Sequence, residues 1–182
     1  MFMSLKLLKL RCKIFFWTIT GRIKKLSSRI QLTLTQGRPE KILIIFPVDE
    51  PSFRVAYYSF RNLGKESRGK IDITFIIKEQ FKGLFHLSTG KIIYIKDSDA
   101  ESTLYNENSI ILQLGLHKFD IIADLNPKFH LGVAKIISQL NADLKIGFES
   151  DFSDWFYNIQ LDISKSGIME KGFNKINMIL AQ

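Results

Sequence analysis

The 182-residue chain reads as a doubly wound, mostly parallel α/β sheet, a single Rossmann-like domain carrying an N-terminal amphipathic helix. Three observations lead to this reading. Short runs rich in β-branched and aromatic residues are nearly continuous in apolar character, as strands covered on both faces are. Segments with helical spacing separate those runs, so strand and helix alternate. The basic charge is confined to the start of the chain. Residues 1–39 hold nine Lys or Arg and no Asp or Glu, whereas the other 17 basic residues face 18 acidic ones. The boundary between a basic arm, 1–39, and a nearly neutral domain, 40–182, follows from that asymmetry, and an anionic partner is expected for the arm.

At 100° per residue, positions 4–31 form a helix whose Leu5, Leu8, Cys12, Phe15, Phe16, Ile19, Ile23, Leu26 and Ile30 share one arc roughly 100° wide. Lys6, Lys9, Lys13 and Lys24 border one side of the arc, and Arg11, Arg22 and Arg29 border the other. Lys25 adds to the charge, and Phe15, Phe16 and Trp17 place aromatics near the middle. An interfacial helix is built this way, with its apolar face in the acyl boundary and its basic flanks on lipid phosphates. Packing of the same face on the domain's own sheet or on a protein partner is the alternative. Nucleic acid is disfavoured, because stacking on bases needs aromatics exposed among the positive charges. The charge-free run Ile14–Gly21 is far too short for a transmembrane span. Lysines also interrupt the apolar region, and no small-x-small site follows, so the segment is a poor cleavable signal.

The domain opens with a strand at Lys41–Phe46, stopped by Pro47. A helix follows from Ser52, as N-cap, to Leu63, with Gly64 closing it. A polar loop, 64–70, leads to a strand at Ile71–Ile77 and a short helix at Lys78–Phe85. After the turn at Ser88–Gly90 comes a strand at Lys91–Ile95, then a polar loop, 97–108, and a helix at Ser109–His117. A strand at Phe119–Leu125 ends at Asn126-Pro127, and Phe129–Leu140 is helical. Leu144–Phe148 is the fifth strand. Asp151–Asp162 is irregular, with a short strand near Tyr157–Leu161, and Ser164–Ala181 is the closing helix.

Ligands of such sheets bind beyond the carboxyl ends of the strands. That edge gathers Phe46–Ser52, Lys78–Gln80, Lys96–Ser98, Leu125–Lys128 and Phe148–Asp151. No glycine-rich phosphate loop follows the first strand, so no nucleotide cofactor is expected there. The single cysteine, Cys12, excludes an intramolecular disulfide, and it fits a reducing compartment. His86, His117 and His130 lie in three different units, so no metal site is expected. The candidate catalytic groups are Asp49 and Glu50, adjacent carboxylates able to act as a general base or to cap and stabilise the helix N-terminus. The candidate ligand contacts are Ser52, Asp124, Asn126, Lys128 and His130. Each has an ordinary structural reading as well: Asp124 as a loop brace, Lys128 as a solvated cation, His130 as a contact to the first turn of its helix.

Lys41-Ile-Leu-Ile-Ile-Phe-Pro47 with its helix up to Arg61-Asn-Leu-Gly64 resembles the opening of the family 9 glycosyltransferases, the ADP-heptose:lipopolysaccharide heptosyltransferases. Phe119–Leu125 is similar to their fourth strand, and Leu140–Phe148, ending Ile-Gly-Phe, to a later turn and strand. The resemblance covers about residues 40–182. It implies the N-terminal, acceptor-side half of a two-domain glycosyltransferase, with a sugar or nucleotide-sugar as possible ligand. It also implies an envelope-related setting in lipopolysaccharide biosynthesis, cytoplasmic and peripheral to the inner membrane. The family pattern places Arg before the proline and ends the loop in Gly-Asp, whose Asp is the presumed base. Aligned on Pro47, these positions are Phe46, Pro51 and Ser52, so Asp49 or Glu50 would have to substitute. By this resemblance the donor-binding half is expected to begin where the sequence ends. The expectation is thus a non-catalytic relative held to a membrane surface or a partner protein by residues 4–31. The alternatives are the acceptor-side half of a split transferase and a small binding protein for an anionic ligand.

Overall fold

In the computed structural model, which describes residues 5–23, 39–63, 71–86, 90–96, 107–115, 118–164 and 167–180, the apolar runs pair into one sheet. Its strands are β1 (Lys41–Ile45), β2 (Asp72–Lys78), β3 (Lys91–Ile95), β4 (Phe119–Asp124), β5 (Ala142–Phe148) and β6 (Ile159–Leu161). Neighbouring strands are parallel throughout, in the order β3-β2-β1-β4-β5-β6. This is the order of a doubly wound Rossmann-like sheet, whose switch point lies between β1 and β4. The helices are α1 (Leu5–Ile19), α2 (Glu50–Phe60), α3 (Glu107–Leu114), α4 (Leu131–Gln139) and α5 (Met169–Leu180), with 3-10 turns at Glu79–Leu84 and Ser153–Trp155.

Alternate residues of each strand point to opposite faces, and both faces are covered. Leu43, Ile45, Ile76, Ile93 and Ile122 meet α1, α3 and α4 on one side. Ile42, Ile44, Phe75, Ala123 and Ile146 meet α2 and α5 on the other, together with a phenylalanine cluster of Phe46, Phe53, Phe60, Phe81 and Phe85. Double coverage is why the strands read as continuous apolar runs rather than as alternating ones.

Several boundaries differ from the sequence expectation, each for a local reason. The N-terminal helix ends at Ile19 rather than continuing to position 31. Gly21, at φ +70°, stops it. The N–H of Gly21 donates to the Thr18 carbonyl at 3.1 Å, and that of Arg22 to the Trp17 carbonyl at 2.8 Å, the paired bonds of a Schellman cap. The arm positions Lys24, Lys25, Leu26, Arg29 and Ile30 lie outside the described residues, as do the expected loop at 64–70 and positions 97–106 of the loop expected at 97–108, whose last two residues instead open α3 at Glu107. Helix α2 starts at Glu50, capped by Asp49 and not by Ser52. Proline is accepted in a helix only in the first turn, so Pro51 marks a start just ahead of itself. Helix α4 starts two residues late because Phe129 turns aside to pack on Phe152 and Phe156, at ring-centroid distances of 5.1 and 5.7 Å. The last helix begins at Met169 rather than Ser164. Asp162 accepts hydrogen bonds from the N–H and Oγ of Ser164, holding a turn in place of a first helical turn.

Candidate functional site

At the switch point the ends of β1 and β4 lie side by side, with Ile45 opposite Asp124. The two chains leave toward α2 and α4, and in this fold a crevice opens between them. Here one side chain bridges the two loops, and a buried carboxylate holds that side chain in place. The Asn126 carboxamide oxygen accepts from the N–H of Val48, 3.0 Å away on the β1–α2 loop. Asp124 Oδ1 accepts from the N–H of Asn126 at 2.9 Å and from its Nδ2 at 2.6 Å. Asp124 Oδ2 accepts from the Tyr157 hydroxyl at 2.5 Å. Asp124, Asn126 and Tyr157 are all buried.

Burial raises the proton affinity of Asp124 above the usual carboxylate range. The donors Tyr157 and Asn126 oppose that shift without cancelling it. Burial also raises Tyr157 well above the ordinary phenol range, and the adjacent carboxylate reinforces the effect. The tyrosine therefore stays a donor. The approach of Tyr157 depends on Gly147 in β5, where a β-carbon would meet the tyrosine ring at 2.7 Å. The Gly of the Ile-Gly-Phe sequence thus leaves room for an aromatic ring beside the strand.

The other candidates are placed as follows. Asp49 Oδ1 accepts from the N–H of Ser52 at 3.0 Å, the N-cap bond of α2. Glu50 Oε1 takes two bonds from Arg54, at 2.9 Å from Nε and 2.7 Å from Nη2, one turn along the exposed face. Ser52 is buried, with its hydroxyl 3.6 Å from Met169 Sδ, which links α2 to α5. His130 caps α4, its Nδ1 accepting from the N–H of Val133 at 3.4 Å. Lys128 is exposed. The structure therefore brings Asp124 and Asn126 into one network and adds Val48. It sets Asp49 and Glu50 at the N-terminus of α2, outside that network.

Sequence reasoning missed Tyr157. The irregular aromatic segment after β5 was visible, but nothing local singles out this tyrosine, because its partner lies 33 positions away. A cavity of about 520 Å³ opens at the opposite, amino edge of the sheet, lined by Glu40, Lys41, Asp72, Gly90 and Lys91 among others. It does not coincide with the carboxyl-edge network, and its mixed-charge rim selects no ligand chemistry.

No family model and no curated protein matches the sequence. Among solved structures the fold is similar to E. coli heptosyltransferase WaaC with ADP, at a TM-score of 0.58 and 12% identity over 76% of this chain. It is also similar to the same enzyme with ADP-2-deoxy-2-fluoro heptose, at a TM-score of 0.57, 13% identity and the same coverage. In both cases the match spans 47% of the other chain, about half of its length. At this level of identity the likeness is one of fold.

Proposed function

We propose that this chain is a non-catalytic counterpart of the acceptor-side half of a heptosyltransferase-like glycosyltransferase, held to a surface through α1. The fold likeness to about half of WaaC supports the first part. The observation that carries the non-catalytic reading is the burial of Asp124 at the sheet's carboxyl edge with both its oxygens engaged. A general base needs a carboxylate oxygen directed at the acceptor hydroxyl within hydrogen-bond reach. Asp124 has both oxygens occupied by Tyr157 and Asn126 in a buried setting. Asp49 and Glu50 are exposed and each is engaged through one oxygen, Asp49 as the cap of α2 and Glu50 by Arg54, so the test below bears on these two. The engaged Asn126 likewise braces the loops, where an open switch point would hold a ligand.

The surface attachment is supported by α1, whose inner face joins the core while its outer face stays apolar and exposed. Residence at the cytoplasmic side of the inner membrane, in an envelope-polysaccharide context, is the setting in which such a half would meet a lipid-linked acceptor.

The test is a nucleotide-sugar incubation with the full chain. The donor is expected to remain intact, with no nucleoside diphosphate released above the protein-free control. Release that falls in Asp49→Ala or Glu50→Ala would assign that carboxylate as a base and sink the non-catalytic reading.

A further inference from the structure

Helix α1 has two apolar faces. Ile14 and Trp17 are buried in the core, and Leu7 and Leu10 pack against it. At 100° per residue these four share one side of the helix. Lys135 of α4 sits over the Trp17 ring at 4.7 Å and Lys13 over the same ring at 4.9 Å, so cations contact the indole from both α4 and α1. On the opposite side Leu5, Leu8, Phe15, Phe16 and Ile19 are 68, 45, 63, 59 and 69% exposed. Cys12, also exposed, lies among them. Five large apolar side chains in one exposed stripe are more than isolated surface hydrophobes, and such a patch marks an interaction site.

The residues bordering the stripe select the occupant. Lys9 and Lys13 lie along one edge and Arg11 along the other, all exposed, and Arg22 follows the helix. Residues 1–39 contain no acidic residue. A second copy of this helix laid on the stripe would set these cations against their own equivalents, which repel. Among the described residues no helix is long and apolar enough to cross a membrane. A helix that is apolar on one face, cationic at its borders and too short to span lies in the plane of an anionic bilayer surface.

We infer that the outer face of α1 is a docking surface for anionic lipid. Leu5, Leu8, Phe15, Phe16 and Ile19 enter the acyl boundary, and Lys9 and Arg11 contact headgroup phosphates. The inner face stays clamped to the core by Ile14 and Trp17. The helix is thus a preformed platform fixed to the domain, and docking it sets the domain's orientation on the bilayer. This inference rests on the surface attachment proposed above and is independent of the glycosyltransferase likeness.

The single cysteine provides the probe. The full chain, labelled at Cys12 with an environment-sensitive fluorophore, is mixed with vesicles of phosphatidylcholine alone or of phosphatidylcholine with phosphatidylglycerol. Unlabelled protein is run in parallel flotation. Binding and a blue shift are expected with the anionic vesicles only, weakening steeply as salt rises. The pair Phe15→Glu and Phe16→Glu is expected to weaken binding at least about tenfold, with unchanged thermal melting because both side chains are exposed. The pair Lys9→Glu and Arg11→Glu is expected to lose a similar factor and to flatten the salt dependence, which guards against misfolding of the first variant. Wild-type binding equal on neutral and anionic vesicles, or variants that bind as wild type does, would overturn the lipid assignment. No vesicle binding together with a dimer in light scattering that the phenylalanine pair dissolves would also overturn it, while leaving attachment through this face standing. No vesicle binding and no such dimer would remove both.

Discussion

Asp124 and Tyr157 concentrate the electrostatics of the domain in one buried contact. Removing the hydroxyl in Tyr157→Phe leaves Asp124 with Asn126 alone, and a buried acceptor deprived of one donor costs about 1–3 kcal/mol. A chemical-denaturation midpoint checks this. The pH dependence has a definite sign. Tyr157 has a folded proton affinity above its unfolded one, so its contribution is whole below about pH 10 and is lost as pH rises through the folded value. The native protein is therefore expected to show one tyrosine that resists ionisation in an alkaline absorbance titration, and Tyr157→Phe should abolish that late step. Asp124 is also raised, so its own contribution is present below the usual carboxylate range and fades as pH rises through its folded value. At Asp49 the capping role predicts that Asp49→Ala lowers stability by about 1 kcal/mol, while Asp49→Ser nearly restores it. Thermal melting of the two variants checks this. A cap tolerates serine, whereas a general base would not.

At the scale of elements, α1 is the informative case. Both readings weighed for the apolar arc, lipid and internal packing, concern one face, and in the structure Leu5, Leu8, Phe15, Phe16 and Ile19 of that face are exposed, so they do not pack on the domain's own sheet. The core is in fact met by the opposite face, through Leu7, Leu10, Ile14 and Trp17. A helical wheel ranks faces by hydrophobicity and cannot tell which of two apolar faces meets the sheet. Trp17 is the anchor, so Trp17→Ala is expected to cost about 3–5 kcal/mol and to open α1 to limited proteolysis ahead of the domain. Deleting the arm outright would expose the same core surface, which makes point changes on the outer face the cleaner probe of docking. The α2 start shows a similar limit. Asp49 and Ser52 both have N-cap chemistry, and the position of Pro51 within the first turn favours the earlier one.

Across the whole molecule, the strand order, the two covered faces and the bridged switch point form one argument. A parallel sheet with helices on both sides offers a crevice between β1 and β4, and in this chain Asn126, held by Asp124, bridges the two loops that flank it. Among the described residues, five of its exposed large apolar side chains gather on α1, on the sheet face shared with α3 and α4. The sequence by itself determined the fold class, the strands nearly to the residue and the charge division at position 39. Burial on both faces, helical periodicity and charge are properties of short windows, and a window contains the information that specifies them. Only the tertiary structure decided that Tyr157 reaches Asp124, that Asn126 holds Val48 and that α1 turns Trp17 inward. Those contacts join segments dozens of residues apart, and no local pattern encodes which distant donor a buried carboxylate will meet.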